Sequence, residues 1–276
     1  MALEQSQSGI LLSAHVSVRY GDKAPVLREV ELTVSRGEVV GLVGQSGSGK
    51  STLAMSILGL LDRKRVHAEG VIDFEGQDML KLTERELRDL RGRKIALVLQ
   101  SPLSSLNPAL KIRTQLKETW RAHVSGTATD CDLAIRGALE SVSLPSSDEF
   151  LRKFPSQMSV GQAQRVLIAM AILHRPALLI ADEATSALDV ITQSEILALF
   201  RQLNRSFGMA ILYISHDLPS VAGICDRIAI LHQGQIVESG STAQVLTRPQ
   251  HEYTLRLMAA MPKMPQRADA AKAAAV

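Results

Sequence analysis

Cysteine is scarce: only Cys131 and Cys225 occur, and their separation matches no metal-ligand spacing. That excludes a disulfide framework and a cysteine-held zinc or iron–sulfur site, and it fits a reducing cytoplasm. An excess of one charge is missing too. Against 31 Lys and Arg stand 28 Asp and Glu, a formal net charge of +3, and the basic residues are scattered, so no nucleic-acid partner is expected. No apolar run approaches the roughly 20 residues of a membrane span. Met1 to Gly9 is polar with no apolar signal region, so the chain is expected to be soluble yet free to dock on a membrane protein. Internal repeats are absent as well. What is present is apolar mass. With 46% of 276 residues hydrophobic, a full core can be buried, and one α/β unit with an inserted subdomain is expected.

Gly44, Gln45, Ser46, Gly47, Ser48, Gly49, Lys50 and Ser51 fit G-x-x-x-x-G-K-[ST] at every required position, the pattern of a phosphate-cradling loop. Its flanks agree: Val39 to Val43 is an apolar run suited to a buried parallel strand, and Thr52 to Leu61 reads as a helix. Small residues let successive N–H groups turn inward on a phosphate, and the helix N-terminus adds roughly half a positive charge. In that arrangement Lys50 reaches the β- and γ-phosphates and the Ser51 hydroxyl ligates Mg²⁺. A second apolar run, Leu178 to Ala181, delivers Asp182 and Glu183 at its carboxyl end, where open α/β sheets place their chemistry. Asp182 is expected to complete the Mg²⁺ shell, and Glu183 to orient or polarise the attacking water. A third run, Ala210 to Ser215, presents His216. That histidine can hydrogen-bond a γ-phosphate, or be an ordinary satisfied loop residue.

Elsewhere, Leu12, Ala14, Val16 and Val18 alternate with polar residues, and Val30, Leu32 and Val34 repeat the pattern, predicting an antiparallel ribbon that leads into the loop strand. Tyr20 sits where the ribbon turns. Its ring can stack on a base, or cover the sheet edge. Val71 to Phe74 reads as a short strand, Glu84 to Leu90 as a charged helix, and Lys94 to Leu99 as a strand ending on Gln100. The two prolines of Ser101 to Pro108 predict an irregular loop hinged at Gln100. From Ile112 to about Leu151 helices dominate, with breaks at Ser125-Gly126 and Pro145 to Ser147, predicting a helical subdomain over about 101–165. Ser159 to Gly161 precede a helix from Ala163 to Leu173, as a second anion site or a plain N-cap. Ser186 to Asp189 forms a turn before a helix from Ile191 to Phe207. Arg227 to Leu231 and Gln235 to Val237 pair as a hairpin, Ser241 with Gln244 suggests a capping box, and a helix around Glu252 to Ala260 follows. Residues 261–276 lack an apolar period and are expected to be disordered.

In order, this set resembles the nucleotide-binding subunit of ABC transporters from Leu11 to Met261. Tyr20 matches the adenine-stacking aromatic, Gly44 to Ser51 the Walker A loop, and Gln100 the Q-loop. Met158 to Gln162 matches the signature, Leu178 to Glu183 Walker B, Ser186 to Asp189 the D-loop, and His216 the switch histidine. Gln100-Ser101-Pro102, Ser104 to Pro108 and Pro249 to Thr254 look like the branch that imports peptides or nickel. The resemblance implies a P-loop NTPase (RecA-like) core with an antiparallel β subdomain and an inserted α-helical subdomain, over residues 1–260. It implies ATP and Mg²⁺ as cofactors and ATP hydrolysis coupled to import. ATP would be held by Tyr20, by Gly44 to Ser51 with Thr52, and by Ser159, Gly161 and Gln162. Ser51, Gln100 and Asp182 would hold the metal, with Glu183 and His216 catalytic. Two membrane-spanning permease subunits, a second nucleotide-binding subunit of the same or a different kind and, indirectly, a substrate-binding protein would be its partners. Its place would be the cytoplasmic face of the cell membrane. A soluble mechanical ATPase of the same fold usually carries tandem domains or long insertions, and a small-molecule kinase has no use for the signature.

The chain also departs from the family. Met158 and Val160 replace the leucine and first glycine of the usual Leu-Ser-Gly-Gly-Gln, and Ala184 stands where a proline commonly follows the Walker B glutamate. The cysteine-rich C-terminal extension of many peptide-branch members is not expected, since Pro262 to Val276 hold no cysteine. At the third signature position close backbone approach favours glycine, and valine makes a positive φ costly. Either the loop closes in a conformation valine tolerates, or the ATP site it completes is impaired and works beside a competent one.

Overall fold

Period-two burial builds the first strands of the computed structural model, which describes residues 9–260. Strand β1 (Ile10–Tyr20) buries Leu12, Ala14, Val16 and Val18, and β2 (Leu27–Ser35) pairs with it antiparallel, with Val16 opposite Val30. Strand β3 (Val39–Val43) is buried at every residue and leads through the glycine-rich loop into helix α1 (Lys50–Ile57). That helix starts two residues before the expected Thr52 and ends short of Leu61.

Next come β4 (Val66–Phe74), β5 (Gln77–Asp78) and α2 (Glu84–Leu90), whose N-cap Thr83 shares a capping box with Glu86. The strand expected over Val71 to Phe74 begins at Val66 because its first half pairs with β1, Tyr20 lying opposite Val66. After β6 (Ile95–Val98) the chain departs from the irregular loop predicted over Ser101 to Pro108. Pro102 opens a one-turn helix, α3 (Pro102–Ser105), and the Ser104 and Ser105 hydroxyls donate to the Ser101 carbonyl. Proline's missing N–H costs nothing in a first turn, where that group has no intrahelical partner.

Helices α4 (Ile112–Arg121), α5 (Ala128–Ser141), α6 (Asp148–Leu151) and α7 (Val160–Ile172) follow, and among the described residues no strand lies between Val98 and Leu178. The chain returns to the sheet with β7 (Leu178–Asp182), α8 (Val190–Phe207) and β8 (Ala210–Ser215). It ends with α9 (Leu218–Ile224), β9 (Arg227–His232), β10 (Gln235–Ser241), α10 (Thr242–Thr247) and α11 (Glu252–Ala259). Ser241 caps α10 by accepting from Gln244 N–H, the half of the expected capping box that forms. The expected disordered segment, 261–276, lies outside the described residues.

A six-stranded sheet runs in the order β10-β9-β3-β8-β7-β6, parallel from β9 to β6, and a four-stranded antiparallel sheet in the order β2-β1-β4-β5. Both faces of the larger sheet are covered. Val40 and Leu42 of β3 face the core shared with the antiparallel sheet and α1, while Val39 and Val43 face the core built with the helices. Hence the central strands read as apolar runs, and charged residues appear only at or past their carboxyl ends.

Close packing sets the position of β3. A Cβ on Gly41 would lie 2.2 Å from Val221 Cγ1 and 2.9 Å from Cys225 Sγ, so α9 rests directly on that strand. Gly41→Ala is expected to cost about 1–3 kcal/mol of unfolding free energy at an unchanged denaturant slope, measured by urea titration.

Candidate active site

Parallel pairing carries three chain reversals to one edge of the sheet. The loop after β3 holds Gly47 and Gly49 at φ 79° and 108°, conformations open to glycine at little cost. Gly49 caps α1 with no side-chain hydrogen bond, so the first N–H groups of that helix face outward without an internal acceptor. Lys50, only 5% exposed, donates to the Gly44 carbonyl at 2.8 Å and the Gln45 carbonyl at 3.0 Å. Burial pushes its ammonium below the ordinary lysine range, and the Glu183 and Asp182 carboxylates work against that shift.

Two strands away, β7 ends in Asp182, and Glu183 follows with φ 49° and its N–H on the Ile214 carbonyl of β8. That left-handed turn is strained for a side chain with a Cβ, and it aims the Glu183 carboxylate across the cleft. Glu183 Oε1 stands 4.0 Å from Lys50 Nζ and 3.3 Å from His216 Nδ1. Beneath these loops Tyr213 bonds Thr185 at 2.8 Å, and the Ser215 hydroxyl accepts from Asp217 N–H, which steadies both turns from the core side. Asp182 is buried, and burial raises its carboxyl above the usual range against an opposing hydrogen bond from Ser51. Its Oδ1 is buried with no hydrogen-bond partner. A buried carboxylate oxygen without a donor, beside a hydroxyl, is the oxygen-donor chemistry that a hard divalent cation takes.

The resulting cleft, of about 210 Å³, is lined by Ser46, Gly47, Gly49, Lys50, Ser51, Thr52, Glu183 and Val26. Val26 escaped the sequence reading: it lies in the turn between β1 and β2, and only the contact of the two sheets brings it there. A hollow of about 280 Å³ beside Arg63 and His67 contains none of the groups above.

Other expected residues lie apart from the cleft. Tyr20 is 38% exposed at the end of β1 and does not line it. Gln100 is exposed past β6, and its side chain makes no hydrogen bond to Ser51 or Asp182. Ser159 caps α7 in a reciprocal capping box with Gln162, and a Cβ on Gly161 would meet Thr192 Cγ2 at 2.8 Å. The signature therefore packs toward the start of α8 and not onto the chain's own phosphate loop. Val160 is the first residue of α7, 39% exposed and without positive φ, so the backbone cost anticipated for valine does not arise.

Residues 27–186 match a family model described as ABC transporter. The chain is 44% identical over 254 residues to the peptidoglycan transport ATP-binding protein YejF of Agrobacterium fabrum, with 91% of this chain but only 46% of that one covered. It is 40% identical over 255 residues to the dipeptide transport ATP-binding protein DppD of Escherichia coli, covering 91% of this chain and 78% of that one. Among solved structures it resembles the dimeric, post-hydrolysis state of the ATP-binding cassette MJ0796 bound to ADP and Pi. The TM-score is 0.72 and the identity 27%, over 84% of this chain and 98% of that one.

Since the raised Asp182 carboxyl means that its charged form is disfavoured on folding, Asp182→Asn should stabilise the nucleotide-free chain at neutral pH. A higher melting temperature is expected by calorimetry. The gain should shrink as the pH falls through the raised value, where the native carboxyl takes up its proton.

Proposed function

The chain belongs to the ABC transporter family as one of its ATP-binding subunits, and from that premise we propose that it hydrolyses ATP on Lys50 and Glu183 to energise import of peptide-like cargo. The observation that carries this reading is the Glu183 carboxylate held between the Lys50 ammonium and the His216 ring. Lys50 gives up its two carbonyl partners for β- and γ-phosphate oxygens, while the loop N–H groups from Gly47 to Thr52 cradle the rest. Ser51 and Asp182, together with Gln100, would hold Mg²⁺, which would supply positive charge to offset that developing on the phosphates. Glu183 orients and polarises the attacking water, and His216, reaching the γ-phosphate, ties that event to the end of β8.

Ser159, Gly161 and Gln162, turned away from the chain's own loop, are suited to the ATP held by a second nucleotide-binding subunit, and Tyr20 to the adenine ring. Dimerisation is supported by the dimeric relative of known structure. Among the described residues no helix is long and apolar enough to cross a membrane. In this reading two permease subunits pass the cargo, a substrate-binding protein delivers it, and this chain sits peripherally on their cytoplasmic face. The names of the dipeptide and peptidoglycan relatives favour peptide-like cargo over nickel complexes. Helix α3, which exposes Leu103, together with the helical region over about 101–165, offers the permease its docking face.

Lys50→Ala is expected to abolish ATP binding. Glu183→Gln should keep binding and lose turnover by about a hundredfold or more, since it acts on water only as the reaction proceeds; equilibrium binding and phosphate release, measured side by side, separate the two. Cysteines placed at Ser104 or Ser105 should crosslink to an integral membrane partner in detergent extract. Crosslinks confined to soluble proteins would contradict the importer reading.

A further inference from the structure

We propose that Tyr253 is a positioning residue of the phosphate loop, its hydroxyl pinning the Gly44–Gln45 peptide so that the loop stays formed when Lys50 leaves it for nucleotide. The inference rests on the reading of this loop as the ATP site. Tyr253 lies on α11, in the Pro249 to Thr254 stretch that the mechanism leaves unused, more than two hundred positions along the chain from the loop. The Gln45 N–H donates to its hydroxyl at 3.1 Å. The carbonyl of that same peptide, Gly44 O, accepts the Lys50 ammonium at 2.8 Å. One amide plane is thus held at both ends, and a cation on its oxygen strengthens the N–H as a donor toward Tyr253.

The surroundings give the phenol one place to be. Tyr253 is 4% exposed, and its ring stacks on His232 with centroids 3.8 Å apart and planes inclined by 21°. Glu238 anchors the start of α11 by accepting from the N–H groups of Gln250 and His251 at 2.9 and 3.1 Å. The hairpin that carries His232 also touches the loop: Gly234 N–H donates to the Ser48 carbonyl at 3.1 Å, and a Cβ on Gly44 would meet the Leu231 carbonyl at 2.3 Å. When ATP draws the ammonium away from Gly44 and Gln45, the loop loses two of its internal bonds at once. The Tyr253 hydroxyl is then the side-chain contact that remains on the Gly44–Gln45 peptide. A brace of this kind acts on ground-state binding and not on the chemical step.

Tyr253→Phe removes the hydroxyl and leaves the ring on His232. In the purified full-length chain, the dissociation constant for a fluorescent ATP analogue is expected to rise about three- to tenfold. Turnover at saturating ATP should stay within about twofold of the parent and the melting temperature within about 2 °C, a split that general loosening of the fold would not produce. Amide exchange of the peptide spanning Gly44 to Lys50 should accelerate, with strand β8 unchanged. Unaltered affinity together with unaltered loop exchange would overturn the assignment, as would loss of affinity accompanied by a matching fall in thermal stability. Lys50→Ala in the same titration tests the underlying reading separately: if it binds nucleotide as the parent does, the ATP site is misplaced, whereas loop exchange in Tyr253→Phe still reports on the brace.

Discussion

Burial of the Lys50 ammonium is the constraint on which this edge of the molecule depends. A cation 5% exposed must be compensated locally, and here two backbone carbonyls and two carboxylates share the task. Those carbonyls belong to the residues that open the loop, so the free lysine folds the loop upon itself. The cost that remains shows as an ammonium that burial holds below the ordinary lysine range.

The two neighbouring acids are set apart by the strand that carries them. Asp182 is the last residue of β7, still in register with Ile214, and its side chain is sunk beneath the loop. Glu183 has left the ladder through a left-handed turn and reaches outward to His216. Adjacent in sequence, they differ in burial and direction because a strand alternates its side chains and a turn redirects them. One is suited to a metal ion in a dry place, the other to water at the mouth of the cleft.

Helices α7 and α8 meet where Gly161 packs against Thr192, which puts the start of the signature beside the turn that follows Glu183. Movement of the helical region would then be felt at the acid without a long chain of intermediates. On the opposite side, α11 and the hairpin β9–β10 bear on the start of the phosphate loop. The loop is thus gripped by residues drawn from the N-terminal ribbon, through Val26, and from the last helix.

Local order along the chain was enough to determine the strands β3, β7 and β8, the loop between Gly44 and Ser51, and the acidic pair. Apolar runs ending on glycine or carboxylate follow from the parallel sheet itself, whose polar groups can appear only at its ends. The alternation in β1 and β2 likewise declared a ribbon, and breaks at Gly126 and Pro145 declared separate helices. Two departures share a cause in short-range order: proline breaks a helix interior but is tolerated in a first turn at Pro102, and β4 begins before its apolar run because its first half is held by pairing with β1. At Val160, of the two outcomes open for valine, the helix start favours the one that valine tolerates. Only the tertiary structure decided the order β9-β3-β8-β7, the entry of Val26 into the cleft, the reach of Glu183 to both Lys50 and His216, and the contact of Tyr253 with Gln45. Each joins residues distant in the chain, and such distances are set by which faces pack together, information that no local period of hydrophobicity carries.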